Sequence, residues 1–232
     1  MSAKGRGRHE GGDEDYYPTA AWPVHRLLDD CGDRLLDVRT ALEPTCGDGA
    51  IIRSVESWTK DPAHWEPAVA EAPRWTGVEL RSNALADPRP ESLIEHHEGV
   101  DFRRWAEDAE AAGRTFGLVL GNPPFNLAEE IIRASMKVSD VVAMLLRVGF
   151  LGSDERVDFF RGVGANPALR VLPDRPSFTA DGKTDSSTYA WFVWGHPLIA
   201  GNFILGSTSL AERKSQTPQG VEAALRQGRL SW

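Results

Sequence analysis

Short apolar runs alternate with polar gaps along most of the chain. Val38 to Leu42, Trp75 to Leu80, Ser92 to His97, Leu118 to Leu120 and Val141 to Val148 each read as a strand. Between them the apolar spacing turns helical. Val24, Leu27 and Leu28 recur at core-facing intervals behind Pro23, which fits the first turn of a helix. A helix is predicted after Gly49 and another over 103–112. Leu127, Ile131, Ile132 and Ser135 share one face of a helix over 127–138. Ser153 is a candidate cap for a helix whose apolar face Phe159 and Phe160 complete. The stretch 58–73 is polar and contains prolines, so it is predicted as a loop insertion.

The chain then changes character. Arg170 to Phe178 reads as a sixth strand and its exit, and 179–187 is a polar loop with one lysine. Thr188 to Trp194 is rich in β formers and is predicted to pair antiparallel to the sixth strand. Alternating strands and helices followed by a strand pair describe an α/β three-layer sandwich. Its sheet is expected to have seven strands, mostly parallel, with one antiparallel. Residues 1–14 are glycine-rich, charged and without periodicity, a predicted disordered tail. Residues 15–200 form one expected domain. Residues 201–232 form a partly ordered extension with a short helix at 221–227. There is no internal repeat.

Composition narrows this picture. A chain of 232 residues with 41% hydrophobic content supports one domain with a sizeable core. No apolar run is long enough to span a bilayer and no signal-like stretch opens the chain, so a cytoplasmic protein without membrane contact is expected. Two cysteines, Cys31 and Cys46, make no disulfide framework, and neither they nor His96 and His97 carry a metal pattern. No metal is expected, and the two histidines read as surface residues. The net charge of −8 opposes general phosphate binding, so any contact with a polyanion must be local.

The chemistry gathers at strand ends. Leu118 to Gly121 runs into Asn122-Pro123-Pro124-Phe125, where two prolines stop the ladder. In open α/β sheets ligands bind at that edge. Asn122 and the Pro123 carbonyl can each accept a hydrogen from an –NH₂ group, and Phe125 can stack on a ring. The first strand runs into Glu43-Pro44-Thr45-Cys46-Gly47-Asp48-Gly49, a glycine turn that admits close backbone approach. It lacks the lysine of a phosphate loop, and its acids Glu43 and Asp48 suit a cationic ligand such as a sulfonium. The second strand ends in Glu79, placed to accept from ribose hydroxyls. Asp101-Phe102 opens the next helix, either as cap and core residue or as an amine acceptor with a ring beside it. Tyr17-Pro18-Thr19 precedes the first helix, with Thr19 a candidate cap.

Asn-Pro-Pro-Phe after an apolar strand resembles the catalytic motif of amino-methyltransferases, and Leu-Glu-Pro-x-x-Gly-Asp-Gly resembles motif I of class I S-adenosylmethionine methyltransferases. The resemblance covers about 16–195, in the motif order of the γ DNA amino-methyltransferases, and implies their Rossmann-like fold. It implies S-adenosyl-L-methionine as cofactor, held by Tyr17, Thr19, Glu43, Pro44, Cys46, Gly47, Asp48, Gly49, Glu79, Asp101, Phe102 and Asn122. It implies Asn122, Pro123, Pro124 and Phe125 as catalytic residues. The segment 175–194 is similar to the tail of phage-type adenine methylases, which makes the N6 amine of adenine in DNA the expected acceptor. A phage or restriction–modification setting is implied by the same resemblance.

Alternatives remain. A protein-glutamine methyltransferase shares Asn-Pro-Pro, and RNA or cytosine-N4 enzymes share the whole site. Carbon-5 methylation needs a cysteine beside proline; Cys46 follows Thr45 instead. No stretch is long enough for a large target-recognition domain, so any sequence preference is expected to be short, weak or carried by the 179–187 loop. Candidate phosphate contacts are Arg156, Arg175, Lys183 and the tail arginines Arg6 and Arg8. The competing reading, which the residues favour, is a salt bridge to a nearby acid for Arg156 and a solvated tail for Arg6 and Arg8.

Overall fold

The computed structural model of the chain describes residues 19–61, 72–152, 154–163, 166–176 and 186–206. Tyr17, Lys183, Ser153, the expected tail 1–14 and the expected helix 221–227 lie outside the described residues, as do residues 62–71 of the expected loop insertion. Eight strands form one sheet among them: β1 (Thr40–Glu43), β2 (Arg74–Glu79), β3 (Leu93–Glu98), β4 (Leu118–Gly121), β5 (Val142–Arg147), β6 (Ala168–Val171), β7 (Tyr189–Trp194) and β8 (Phe203–Ile204). The order is β3-β2-β1-β4-β5-β7-β6-β8, and only β7 runs antiparallel to its neighbours. Five helices accompany it: α1 (Ala21–Leu35), α2 (Ala50–Lys60), α3 (Phe102–Ala111), α4 (Ala128–Val138) and α5 (Val157–Gly162).

The central strands are apolar throughout because both faces are covered. Ala143 and Leu145 of β5 pack on the side of α1 and α2, while Val142, Met144 and Leu146 pack with α3, α4 and α5. This is the three-layer sandwich that continuous apolar strands predict. From β1 the chain builds outward to β2 and β3, then returns to place β4 and β5 on the other side. The reversal leaves a crevice between the C-terminal ends of β1 and β4, the position where open α/β sheets hold ligands.

The differences from expectation have local causes. The sheet has eight strands rather than seven. The eighth, β8, is two residues long and pairs with β6 through Arg170↔Phe203 and Val171↔Ile204. Phe203 and Ile204 are both exposed, so no inside–outside alternation marks them. Arg170, 2% exposed, supports this corner: it pairs with Asp30 of α1 and donates to Gly201 O at 3.0 Å. Helix α2 continues through Trp58 to Lys60, into the predicted loop. Trp58 is buried and its indole Nε1 donates to Asp29 Oδ1 at 2.9 Å, a tertiary bond that holds the last turn. His96 and His97 are largely covered rather than on the surface. The His96 side chain is 9% exposed, and His97 packs on Trp105 of α3 with ring centroids 5.4 Å apart. Burial holds the His96 imidazole below its ordinary pKa.

Candidate active site

The crevice is a cleft of about 530 Å³ lined by the ends of β1, β2 and β4 and the starts of α3 and α4. One end is built from Asn122, Pro123, Pro124 and Phe125. Gly121 brings β4 close to the neighbouring loop: a Cβ there would lie 3.0 Å from Pro44 Cδ. The turn after it is closed by Leu127 N donating to Pro124 O at 3.0 Å, which starts α4 and leaves Asn122 at the switch point. Asn122 Nδ2 donates to Thr19 Oγ1 at 3.0 Å. This bond orients the amide, so Oδ1 is the acceptor turned away from Thr19.

Thr19 is therefore not a helix cap. The N-cap position of α1 is Ala20, which has no side-chain cap, and Thr19 is buried against the catalytic strand end instead. Phe125 is half-buried. Arg147 lies over its ring, 4.5 Å from the centroid, and the Tyr189 ring sits at 5.9 Å with a tilt of 43°.

The other end gathers acids around the glycine turn. Thr19, Glu43, Pro44, Cys46, Gly47 and Asp48 line it with Glu79. Gly49 does not line the cleft. Its φ of 83° belongs to the left-handed region that glycine tolerates, and it turns the chain into α2. The Glu79 carboxylate ties two loops together. Oε2 accepts from Gly47 N at 2.7 Å, and Oε1 accepts from Arg81 N at 2.9 Å and Arg81 Nε at 3.1 Å. Asp48 Oδ1 accepts from Ala50 N at 3.0 Å, and its other oxygen pairs with Arg53 at 3.1 Å.

Glu43 is 2% exposed, and among the described residues its Oε2 has no hydrogen-bond partner. Burial, then the neighbouring Asp48 charge, push its carboxyl well above the ordinary range, against the pull of Arg53. Burial likewise pushes the Cys46 thiol up, with Glu43 and Glu79 adding to it, so this thiol stays protonated and is a poor nucleophile.

Asp101 and Phe102 reach the cleft from the start of α3. Asp101 is the N-cap of that helix, accepting from Arg103 N at 2.9 Å, and Phe102 is 3% exposed in the core. The cap-and-core alternative is realised, and both residues still face the cleft. The Arg103 guanidinium holds the Asp101 carboxyl below its ordinary pKa and also pairs with Glu130 of α4.

Three cleft residues carry no motif that singles them out in the sequence. Leu80 is 64% exposed at the cleft's edge, directly after the strand-end acid. Arg81 and Arg103 each stand two residues after an acid that they hold. That repeated spacing, Glu79–Arg81 and Asp101–Arg103, is the signal that could have found them.

Of the expected phosphate contacts, Arg156 and Arg175 are among the described residues, and neither lines the cleft. Arg156 stacks on Phe150, 4.3 Å from the ring centroid, and donates to Phe150 O at 3.4 Å. Among the described residues it pairs with no carboxylate. Arg175 is exposed where the chain leaves β6. Among the described residues no helix is long and apolar enough to cross a membrane, and no group of His, Cys, Asp and Glu side chains gathers for a metal.

No family model matches this sequence, and no curated protein matches it. Solved structures share its fold. A protein described as a class I S-adenosylmethionine-dependent methyltransferase from Listeria monocytogenes superposes with a TM-score of 0.55 at 12% identity, over 93% of this chain and 72% of its own. One described as the modification subunit of a type I restriction enzyme from Vibrio vulnificus gives 0.53 at 16% identity, over 95% of this chain and 55% of its own. One described as a hemolysin from Streptococcus thermophilus gives 0.51 at 11% identity, over 96% and 80%. Such different descriptions on one architecture mean that the fold alone does not name the chemistry. The architecture itself is that of the class I methyltransferases: an α/β fold with a mostly parallel sheet and one antiparallel strand, here carrying an eighth strand at its edge.

Proposed function

We propose that this chain is an S-adenosylmethionine-dependent methyltransferase that acts on the N6 amine of adenine in DNA. The observation that carries the reading is the shared cleft: the glycine turn, Glu79 and Asp101 open into the same space as Asn122-Pro-Pro-Phe. The cofactor fits the donor set. The cleft offers carboxylates rather than a lysine cradle, and the orphaned Glu43 Oε2 marks a polar position within the site. The Glu79 carboxylate retains accepting capacity for ribose hydroxyls beside its bond to Gly47 N. Asp101 and Phe102 would hold the adenine end, with Leu80 as a further apolar wall. Bound there, the cofactor supplies an electrophilic methyl group.

The chain's own residues prepare the acceptor. An exocyclic amine conjugated with its ring is a poor nucleophile. Hydrogen bonds from that –NH₂ to Asn122 Oδ1 and the Pro123 carbonyl favour a pyramidal nitrogen and free its lone pair. Holding two reactants in such a geometry contributes several kcal/mol. No strong base is needed, because the nitrogen sheds its proton once it has become cationic. In duplex DNA the base is flipped out at a cost of about a few kcal/mol, and stacking on Phe125 offsets roughly 1–3 kcal/mol of that. The restriction-enzyme subunit among the structural neighbours accords with a DNA acceptor.

Labelled S-adenosylmethionine offered to DNA, RNA and protein, followed by nucleoside and amino-acid analysis, tests the reading. N6-methyladenine in DNA is expected. Label in N4-methylcytosine, in RNA or in methylglutamine would replace this acceptor with one of the alternatives that share the site.

A further inference from the structure

The stretch that lines the acceptor end of the cleft runs past Phe125 to Asn126, whose side chain is exposed. Asn126 sits inside the turn that Leu127 N closes on Pro124 O at 3.0 Å. Asparagine in a turn commonly bonds nearby backbone, or caps the helix that follows. Neither use is made of this one. The N-cap position of α4 is Leu127, without a side-chain bond, and among the described residues the Asn126 carboxamide has no hydrogen-bond partner. The rest of this end offers acceptors. Asn122 Nδ2 is turned to Thr19, which leaves Oδ1 for the substrate, while Pro123 and Pro124 have carbonyls and no N–H. Of the side chains over 122–127 only the two amides carry donors, and among the described residues only that of Asn126 makes no hydrogen bond.

We propose that Asn126 reads the ring of the acceptor base, donating from Nδ2 to adenine N1. The assignment rests on the adenine reading above and adds to it the group that recognises the ring. An amine held by Asn122 Oδ1 and the Pro123 carbonyl gives up two hydrogens but identifies no ring. On the Watson–Crick edge of adenine the amine stands beside an acceptor, N1, and flipped bases are read along that edge. Reading the pair takes acceptors for the amine and a donor for the ring nitrogen. The asparagines on either side of Pro123-Pro124-Phe125 supply both, and the two prolines between them fix their spacing. Cytosine also carries a ring nitrogen, N3, beside its amine. Asn126 therefore selects an amine next to a ring nitrogen, and does not by itself tell purine from pyrimidine.

The test pairs variants of the full chain with base analogues. Methyl transfer is measured as kcat/KM on mixed-sequence single- and double-stranded oligonucleotides carrying adenine, 1-deazaadenine or 7-deazaadenine, for wild type, Asn126→Ala and Asn126→Asp. 1-Deazaadenine keeps the amine and replaces N1 by C–H. Wild type is expected to prefer adenine over this analogue by about 2- to 10-fold more than Asn126→Ala does, the scale of one hydrogen bond. Taking the ratio of the two preferences cancels the analogue's altered amine, which both proteins meet alike. Asn126→Asp presents acceptors only, so on adenine it should fall at least as far as the alanine variant. Discrimination against 7-deazaadenine and calorimetric binding of S-adenosylmethionine should be the same in wild type and Asn126→Ala, which separates a lost contact to N1 from a damaged site. An equal preference for adenine over 1-deazaadenine in wild type and Asn126→Ala, with wild type active, overturns this assignment alone, as does a change confined to 7-deazaadenine. Failure of wild type to methylate adenine in any of the oligonucleotides overturns the adenine reading, and the assignment with it.

Discussion

The two ends of the cleft are made of opposite materials. The Asn122 end is lined by neutral groups: an amide, proline carbonyls and an aromatic ring, fixed by hydrogen bonds and by the stiffness of two prolines. The glycine-turn end is a cluster of carboxylates, most held by an arginine or a backbone N–H. A neutral end acts through direction, because its groups do not titrate near neutral pH. An acidic end acts through charge, so its behaviour follows protonation and competing cations. Substitutions at the first end should therefore change turnover, and those at the second should change cofactor affinity and stability.

Asn122→Ala offers the largest effect. It removes the acceptor that acts on the amine, and kcat should fall by about 10²-fold or more, the scale for losing one preorganised hydrogen-bonding group. Calorimetry should find S-adenosylmethionine affinity nearly unchanged; turnover close to wild type would erase the distinction between the ends. Glu79→Ala should do the reverse and weaken cofactor binding by roughly 1–3 kcal/mol, with turnover preserved at saturating cofactor. An unaltered cofactor Kd would remove Glu79 from the site.

Thr19→Val sharpens the comparison, because Thr19 touches Asn122 while lining the cleft. Losing its bond to Asn122 Nδ2 is worth about 1 kcal/mol, so kcat should drop severalfold, and Thr19→Ser should restore it. A change in cofactor Kd alone would place Thr19 with the other end.

Glu43→Gln is the subtlest. The folded carboxyl titrates above its ordinary value of 4.5, so the folded chain holds this proton where the unfolded chain has lost it. The resulting stability is complete below the unfolded value and drains as pH rises through the folded one. Glutamine does not titrate, so thermal melts of the variant should decline less across that window. Parallel curves for variant and wild type would mean that Glu43 is not held neutral.

The sequence carried the sheet and the strand-end motifs because both are local signals. β4 and β5 are apolar runs, and Asn122-Pro-Pro-Phe is a contiguous turn whose prolines can only end a strand. What it could not carry were partnerships between distant residues. Thr19 looked like a cap, since its spacing to α1 fits one, yet its hydroxyl is used by a residue 103 positions away. Arg156 reads as a phosphate contact or an ion-pair partner, and its place over the Phe150 ring is a tertiary contact that no local pattern announces. The bond from Arg147 to Tyr189 is another, set by the β5–β7 ladder. β8 was missed for another reason, having two exposed residues and no periodicity to read.

The antiparallel setting of β7 also bears on how such a protein can be altered. β6 ends and β7 begins at the same edge as β4 and β5 end, beside the cleft. A segment inserted between residues 176 and 186 would therefore start and finish at the sheet edge on which the cleft opens, and need not disturb the strand pairing. Parallel strands offer no such opening there, since each connection must cross to the far edge before the next strand begins. That one joint is where a protein engineer, or natural selection, can change what the cleft meets without rebuilding the sheet.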